Sequence, residues 1–263
     1  MTKAPCICAP ALLACAAAAQ AADTKFSLTS GYTDFSRDFG SRRDTSVEST
    51  TDLGRTAFTI GISQGHRKFD DTSSSAVRVA GAIYHDWSSR IYTRTSVAVS
   101  SNRPVYASRE FANDVNFKLL PTLVATVGGK YARYYDRKDA RSWSAGGTWY
   151  FGGGFAAYRY SSFDVDRLGR SDGHLATVRI KDGKGAASTQ LWLGSSSSLH
   201  EEGVLFSGRR GKYRSISLQR VQPVNGSLSA TATIGRSWYD TQPANYRGTT
   251  ASIGLRVSGW RKL

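Results

Sequence analysis

Beyond the first two dozen residues, apolar and polar side chains alternate one by one along almost the entire chain, and the spacing of an amphipathic helix is hard to find. Only an extended strand sends successive side chains to opposite faces. The pattern is cleanest near the end, where Ala251, Ile253, Leu255 and Val257 share one face and Thr250, Ser252, Gly254, Arg256 and Ser258 take the other. Leu228, Ala230, Ala232 and Ile234 separate in the same way from Ser229, Thr231, Thr233 and Gly235. So do Ile91, Thr93, Thr95, Val97 and Val99 from Tyr92, Arg94, Ser96 and Ala98. The fold class this predicts is all-β and antiparallel, with one greasy and one polar face to the sheet.

Turn chemistry supplies the topology. Tight links are expected at Asp52-Leu53-Gly54, Asp86-Trp87-Ser88-Ser89, Leu120-Pro121, Gly152-Gly153-Gly154, Lys181-Asp182-Gly183-Lys184 and Pro223-Val224-Asn225-Gly226. Asn-Gly and Asp-Gly suit a short hairpin because its central residues need positive φ. Looser polar links fall around residues 37–43, 69–72, 101–108, 137–139, 166–170, 196–208 and 240–245. Six tight and seven looser links join fourteen strands, or twelve if the weakly patterned segments 44–53 and 109–119 are not strands. An even count with short turns at one end brings both ends of the sheet to the same side, as bacterial outer-membrane barrels require.

Two features favour a transmembrane barrel over a soluble sandwich, which would also alternate. Aromatic residues gather near expected strand ends, Trp143 and Trp238 toward the looser links and Trp149, Phe151 and Phe155 beside the glycine turn. Such rings favour the lipid–water boundary. The polar face also carries Arg78, Arg94, Lys118, Lys130, Arg159, Arg179, Lys181 and Arg256. That is too much charge for a packed interior, and a water-filled lumen would accommodate it. No stretch after the leader reaches the ~18 consecutive apolar residues of a membrane helix, and a barrel does not need one.

Residues 1–21 read as a secretory signal peptide, with Lys3 in the n-region, an Ala- and Leu-rich middle and a small-x-small site at Ala19-Gln20-Ala21. The barrel is then expected over residues 22–263. Leu12-Leu13-Ala14-Cys15 also resembles a lipoprotein box, but the better cleavage site lies beyond it. Cys6, Cys8 and Cys15 all fall in this leader, so neither a disulfide nor a thiolate metal site is available to the rest.

The loop Asn102-Arg103-Pro104-Val105-Tyr106-Ala107-Ser108-Arg109-Glu110, followed by Leu119-Leu120-Pro121 and Gly128-Gly129-Lys130-Tyr131-Ala132-Arg133-Tyr134, resembles the YaiO-type outer-membrane β-barrel family. The resemblance covers nearly all of the chain after the leader. It implies a Gram-negative outer-membrane location and a barrel, brings no catalytic residues, and leaves the biochemical role open. Barrels of this kind commonly finish on a lipid-facing aromatic residue that the barrel-assembly machinery reads. Here Gly259, Arg261 and Leu263 continue that face, Leu263 stands where Phe is usual, and Trp260 has the opposite parity.

The formal charge is +15, or +14 once Lys3 leaves with the leader, and much of it aligns on the expected lumen face. The expectation is a porin-like pore or a surface and assembly component whose basic lumen favours small anionic or polar solutes. Arg209, Arg210, Lys212 and Arg214 would sit at the rim and pair with lipopolysaccharide phosphates. A plugged, purely structural barrel is one alternative. A lipid-modifying hydrolase is another, with a nucleophile among Ser195, Ser196, Ser197 and Ser198, His200 as base and Glu201 or Glu202 orienting it. Serine with glutamate is also ordinary loop composition, and the reading is of a non-enzyme without cofactor. His66, His85 and His174 are isolated, which argues against a metal site. Gly128-Gly129 and Gly152-Gly153-Gly154 precede no helix and read as bends or turns. Basic residues alternating with small apolar ones lack the exposed-aromatic footprint of a nucleic-acid binder.

Overall fold

A computed structural model describes residues 23–69, 71–101, 105–134, 139–166, 169–182, 187–197, 211–241 and 245–259. Fourteen strands form one closed antiparallel barrel in sequence order. They are β1 (Asp23–Phe35), β2 (Ser41–Asp52), β3 (Thr56–Phe69), β4 (Thr72–Asp86), β5 (Ile91–Ser100), β6 (Arg109–Leu120) and β7 (Leu123–Arg133). The second half comprises β8 (Asp139–Phe151), β9 (Gly154–Val165), β10 (Gly169–Lys181), β11 (Ser188–Ser196), β12 (Gly211–Pro223), β13 (Leu228–Thr241) and β14 (Asn245–Ser258). The weakly patterned segments are β2 and β6, which settles the count at fourteen rather than twelve.

Each strand pairs with its chain neighbours, and β1 closes the ring on β14 from Lys25 opposite Ser258 to Phe35 opposite Gly248. The Thr33–Thr250 hydroxyl contact of 2.9 Å lies on this seam, and cross-strand pairs of this type contribute roughly 0.2–1 kcal/mol each. Closure leaves no edge strand with unpaired backbone groups, the condition for crossing hydrocarbon. Among the described residues the register shifts only between Lys118 and Leu120, beside the β6–β7 turn.

The turns have local causes. Asp52 Oδ1 accepts from Gly54 N at 2.9 Å, and Asn225 Oδ1 accepts from Ser227 N and Leu228 N at 3.0 and 2.8 Å. Ser88 Oγ accepts from the Arg90 and Ile91 amides. Several looser links are shorter than the sequence suggested, because strand pairing continues into them: β3 reaches Phe69 and β4 starts at Thr72. Arg37 and Asp38 both have φ of 61°, the paired left-handed geometry of a tight hairpin turn.

Register fixes the two faces. Leu255, Leu28, Val47, Ile62, Val79 and Val99 oppose one another in turn across β14, β1, β2, β3, β4 and β5. All stand on the outside and are substantially exposed. Ile253 is 72% and Ile234 63% accessible. Keeping a side chain of that size out of water is worth about 1.5–3 kcal/mol, so a continuous belt of them needs an apolar solvent. Packed hydrophobic clusters instead lie on the inner face at the end carrying the looser links. One joins Phe35, Tyr239 and Tyr246, and the other joins Ala107, Ala132, Ala140 and Val165.

Candidate functional site

The barrel wall itself builds the site. Parity carried around the ring puts Arg78, Arg94, Lys118, Lys130, Arg159, Arg179, Lys181 and Arg256 on the face opposite the apolar belt. The same face carries Lys25, Arg42 and Arg67, which the sequence reading left out, and the acids Asp44, Glu48, Glu110 and Asp114.

Toward the middle and the loop end these charges combine. Glu110 accepts from Arg78 at 3.2 Å and from Lys130 at 3.0 Å. Arg42 holds Asp44 at 2.6 Å. Arg159 reaches from β9 past Ser144 on β8 and Gly128 on β7 to Asp114 on β6. A Cβ on Gly128 would collide with the Asp114 carboxylate, so this glycine, read from sequence as a bend, clears the path for the ion pair. Between these groups the wall of β2–β7 is floored by Gly61, Ala80, Ala82, Ala98 and Ala112 and encloses a cavity of about 360 Å³.

Toward the tight-turn end most of the inner-face cations lack acidic partners. Arg94, Lys118, Arg179, Lys181 and Arg256 form no ion pair with any described carboxylate. Arg94 donates to the Tyr84 hydroxyl at 2.7 Å and lies 5.5 Å from that ring. Lys118 lies 5.4 Å from the Tyr92 ring, and Arg179 donates to Ser188 Oγ. Of the acids at this end, Asp23 pairs with Lys25, Asp182 with Arg220 and Asp52 accepts within its turn, while Asp86 stands on the inner face opposite Tyr92.

Two features narrow the loop end. The β5–β6 link, described from Val105 onward, turns inward instead of projecting to solvent. Its base is held by Ser108 N on Arg133 O and by Ser100 Oγ on Ala107 O. Tyr106 at its tip donates to Asp44 Oδ1 at 2.7 Å, across β4 and β3 from its own strand. Gly65 is the seat, since a Cβ there would meet Val105 Cγ1 at 2.6 Å and the Tyr106 hydroxyl at 2.7 Å. Burial first, then the Asp44 hydrogen bond, push the Tyr106 phenol pKa up, so the donor stays protonated. At the same mouth, Phe39, Tyr246 and Tyr239 stack with centroid spacings of 4.0 and 4.4 Å. Arg67 lies 3.8 Å from the Phe35 ring in the same cluster.

Of the expected interfacial aromatics, Trp143, Trp149, Phe151 and Trp238 stand on the outer face, Trp143 and Trp238 toward the loops and the other two beside the Gly152-Gly153 turn. Phe155 does not. The turn places Phe151 opposite Gly154, so Phe155 comes next on the inner face, opposite Tyr150 and Arg179. Tyr84, Tyr92 and Tyr150 share that inner face, which parity along their strands could have revealed.

Lys212 and Arg214 face outward at the loop end of β12, while Arg209 and Arg210 lie outside the described residues. So do Ser198, His200, Glu201 and Glu202, the leader, and Trp260, Arg261 and Leu263. Ser195 lies opposite His174 on the outer face, but His174 Nδ1 is engaged by the Tyr158 hydroxyl at 2.7 Å. His66 and His85 contact Ser75 and Thr56, and no metal-type cluster occurs among the described residues.

The family model described as the YaiO membrane beta barrel domain matches residues 23–202. Among solved structures, the CymD monoaromatic hydrocarbon channel is similar at TM-score 0.63 and 8% identity, covering 90% of this chain and 88% of that one. A Pseudomonas aeruginosa FadL homologue gives 0.61 at 8% identity, covering 89% and 90%. A bacterial polysaccharide outer membrane secretin gives 0.57 at 8% identity, covering 90% and 98%. At such identities the likeness is one of fold, and the fold is that of outer-membrane barrels.

Proposed function

The chain belongs to the YaiO membrane β-barrel domain family, and on that footing we propose that it is an outer-membrane channel for small polar solutes, selective for anions, with the inward β5–β6 loop setting its constriction. The observation that carries this reading is the excess of unpaired cations on the inner wall: Arg94, Lys118, Arg179, Lys181 and Arg256. Charges of one sign in a narrow low-dielectric passage raise the local concentration of counter-ions. The neighbours in fold, a hydrocarbon channel and a polysaccharide secretin among them, agree with a transport role and leave the solute open.

Planar-bilayer recording tests it. A salt gradient is expected to give a reversal potential favouring anions, which charge-neutralising variants at Lys118 and Arg179 reduce. A cation-selective pore would overturn the selectivity. The aromatic packing at the mouth favours a second reading, a structural barrel closed at that end. Absence of conductance, persisting after removal of residues 102–107, would decide for it.

A further inference from the structure

We infer that the tight-turn end of the lumen is a vestibule that binds an acidic saccharide entering from the periplasmic side. The inference rests on the channel reading for its route and on three features of the inner wall for its ligand.

First, cations and aromatic rings alternate along one band at this end. Arg94 lies beside Tyr84, Lys118 beside Tyr92, and Arg179 opposite Phe155, whose ring is 6.0 Å from that of Tyr150. Tyr84 and Tyr150 are 39% and 42% accessible, so their rings are available to a ligand. A ligand matching this band must alternate negative charge with flat, weakly polar faces. A sugar chain carrying carboxylates does so: each ring offers a C–H face to an aromatic side chain, and each carboxylate meets a guanidinium or ammonium group.

Second, the wall across the lumen, on β11–β13, is neutral among the described residues and rich in hydroxyl and amide groups. Gln190, Ser217, Gln219, Thr231 and Thr233 face inward there. Hydroxyls and amides both donate and accept, which suits sugar hydroxyls. A polyphosphate would leave that wall and the rings unused.

Third, the barrel is polarised along its axis. The loop end holds paired charges, the stacked Phe39, Tyr246 and Tyr239, and the docked Tyr106. The unpaired cations lie nearer the other end, where both chain ends of the barrel and its tight turns sit, the periplasmic side in bacterial barrels.

The test titrates the refolded detergent-solubilised barrel with galacturonic acid hexamer by calorimetry, with maltohexaose, polyphosphate and a short single-stranded oligonucleotide as comparison probes. The hexamer is expected to bind about tenfold tighter than any of them, and the triple variant R94Q/K118Q/R179Q to lose about that factor. Tyr84→Ala with Tyr150→Ala should weaken the hexamer while sparing polyphosphate. In bilayers, the hexamer should interrupt current at lower concentration from the tight-turn side than from the loop side. Equal binding of maltohexaose or polyphosphate, tighter binding of the oligonucleotide, or no binding by a barrel of native heat-modifiable mobility overturns the inference. Hexamer binding by a barrel that passes no current instead removes the channel reading and leaves the site.

Discussion

Gly65 and Tyr106 are forty-one positions apart in the chain, yet they fix one loop conformation between them. The glycine leaves room for Val105 and the phenol, and the phenol donates to Asp44. Tyr106→Phe keeps the ring and removes a hydrogen bond to a charged acceptor, worth about 1.5–3 kcal/mol. Amide exchange at residues 105–107 should accelerate, with larger fluctuations in single-channel current. Gly65→Val should expel the tip and raise conductance further, and unchanged current in both variants would separate the loop from the constriction. The pH dependence has a definite sign. The phenol pKa is raised above its ordinary value of 10.0, so the latch contributes fully below about pH 10 and is lost as pH rises beyond it. Conductance should therefore be flat through neutrality and increase only in strong alkali. None of this docking was legible in the sequence, because a non-periodic loop announces neither its direction nor its seat.

At the scale of the strand, period two made most of the structure legible. All eight basic residues expected on the polar face lie there, since a strand without bulges preserves parity from end to end. Phe155 departs from the expected outer position because closeness to a turn does not fix parity: a two-residue turn pairs Phe151 with Gly154 and sends the next side chain inward. Ion pairing was not legible either. Glu110 and Asp114 share a face of β6, but their partners come from β4, β7 and β9, and choosing them requires register across several strands. Ile253→Arg on β14 places a charge in the exposed apolar belt and should cost roughly 2–4 kcal/mol near the bilayer midplane. Thr250→Arg, on the inner face of the same strand, should cost far less. Denaturant titration of folding into liposomes compares the two, and equal costs would contradict the assignment of faces.

The whole molecule is a sheet closed on itself with its solvents exchanged: hydrocarbon outside and charge inside. Composition alone hides this, because mean hydropathy is −0.36, as expected when only alternate residues meet lipid. The charge balance, the loop docked within the lumen and the unpaired cations toward one end all acquire meaning only after closure. Residues 23–263 contain no cysteine, so single cysteines carrying nitroxide labels can be placed freely. Labels at Ile234, Ile253 and Leu255, and at their neighbours Thr233, Ser252 and Gly254, in liposome-reconstituted protein test the arrangement directly. The first set should collide readily with dissolved oxygen and little with a water-soluble nickel chelate, and the second set should do the reverse. Water accessibility at Ile234, Ile253 and Leu255 matching that of their neighbours would contradict a lipid-covered barrel.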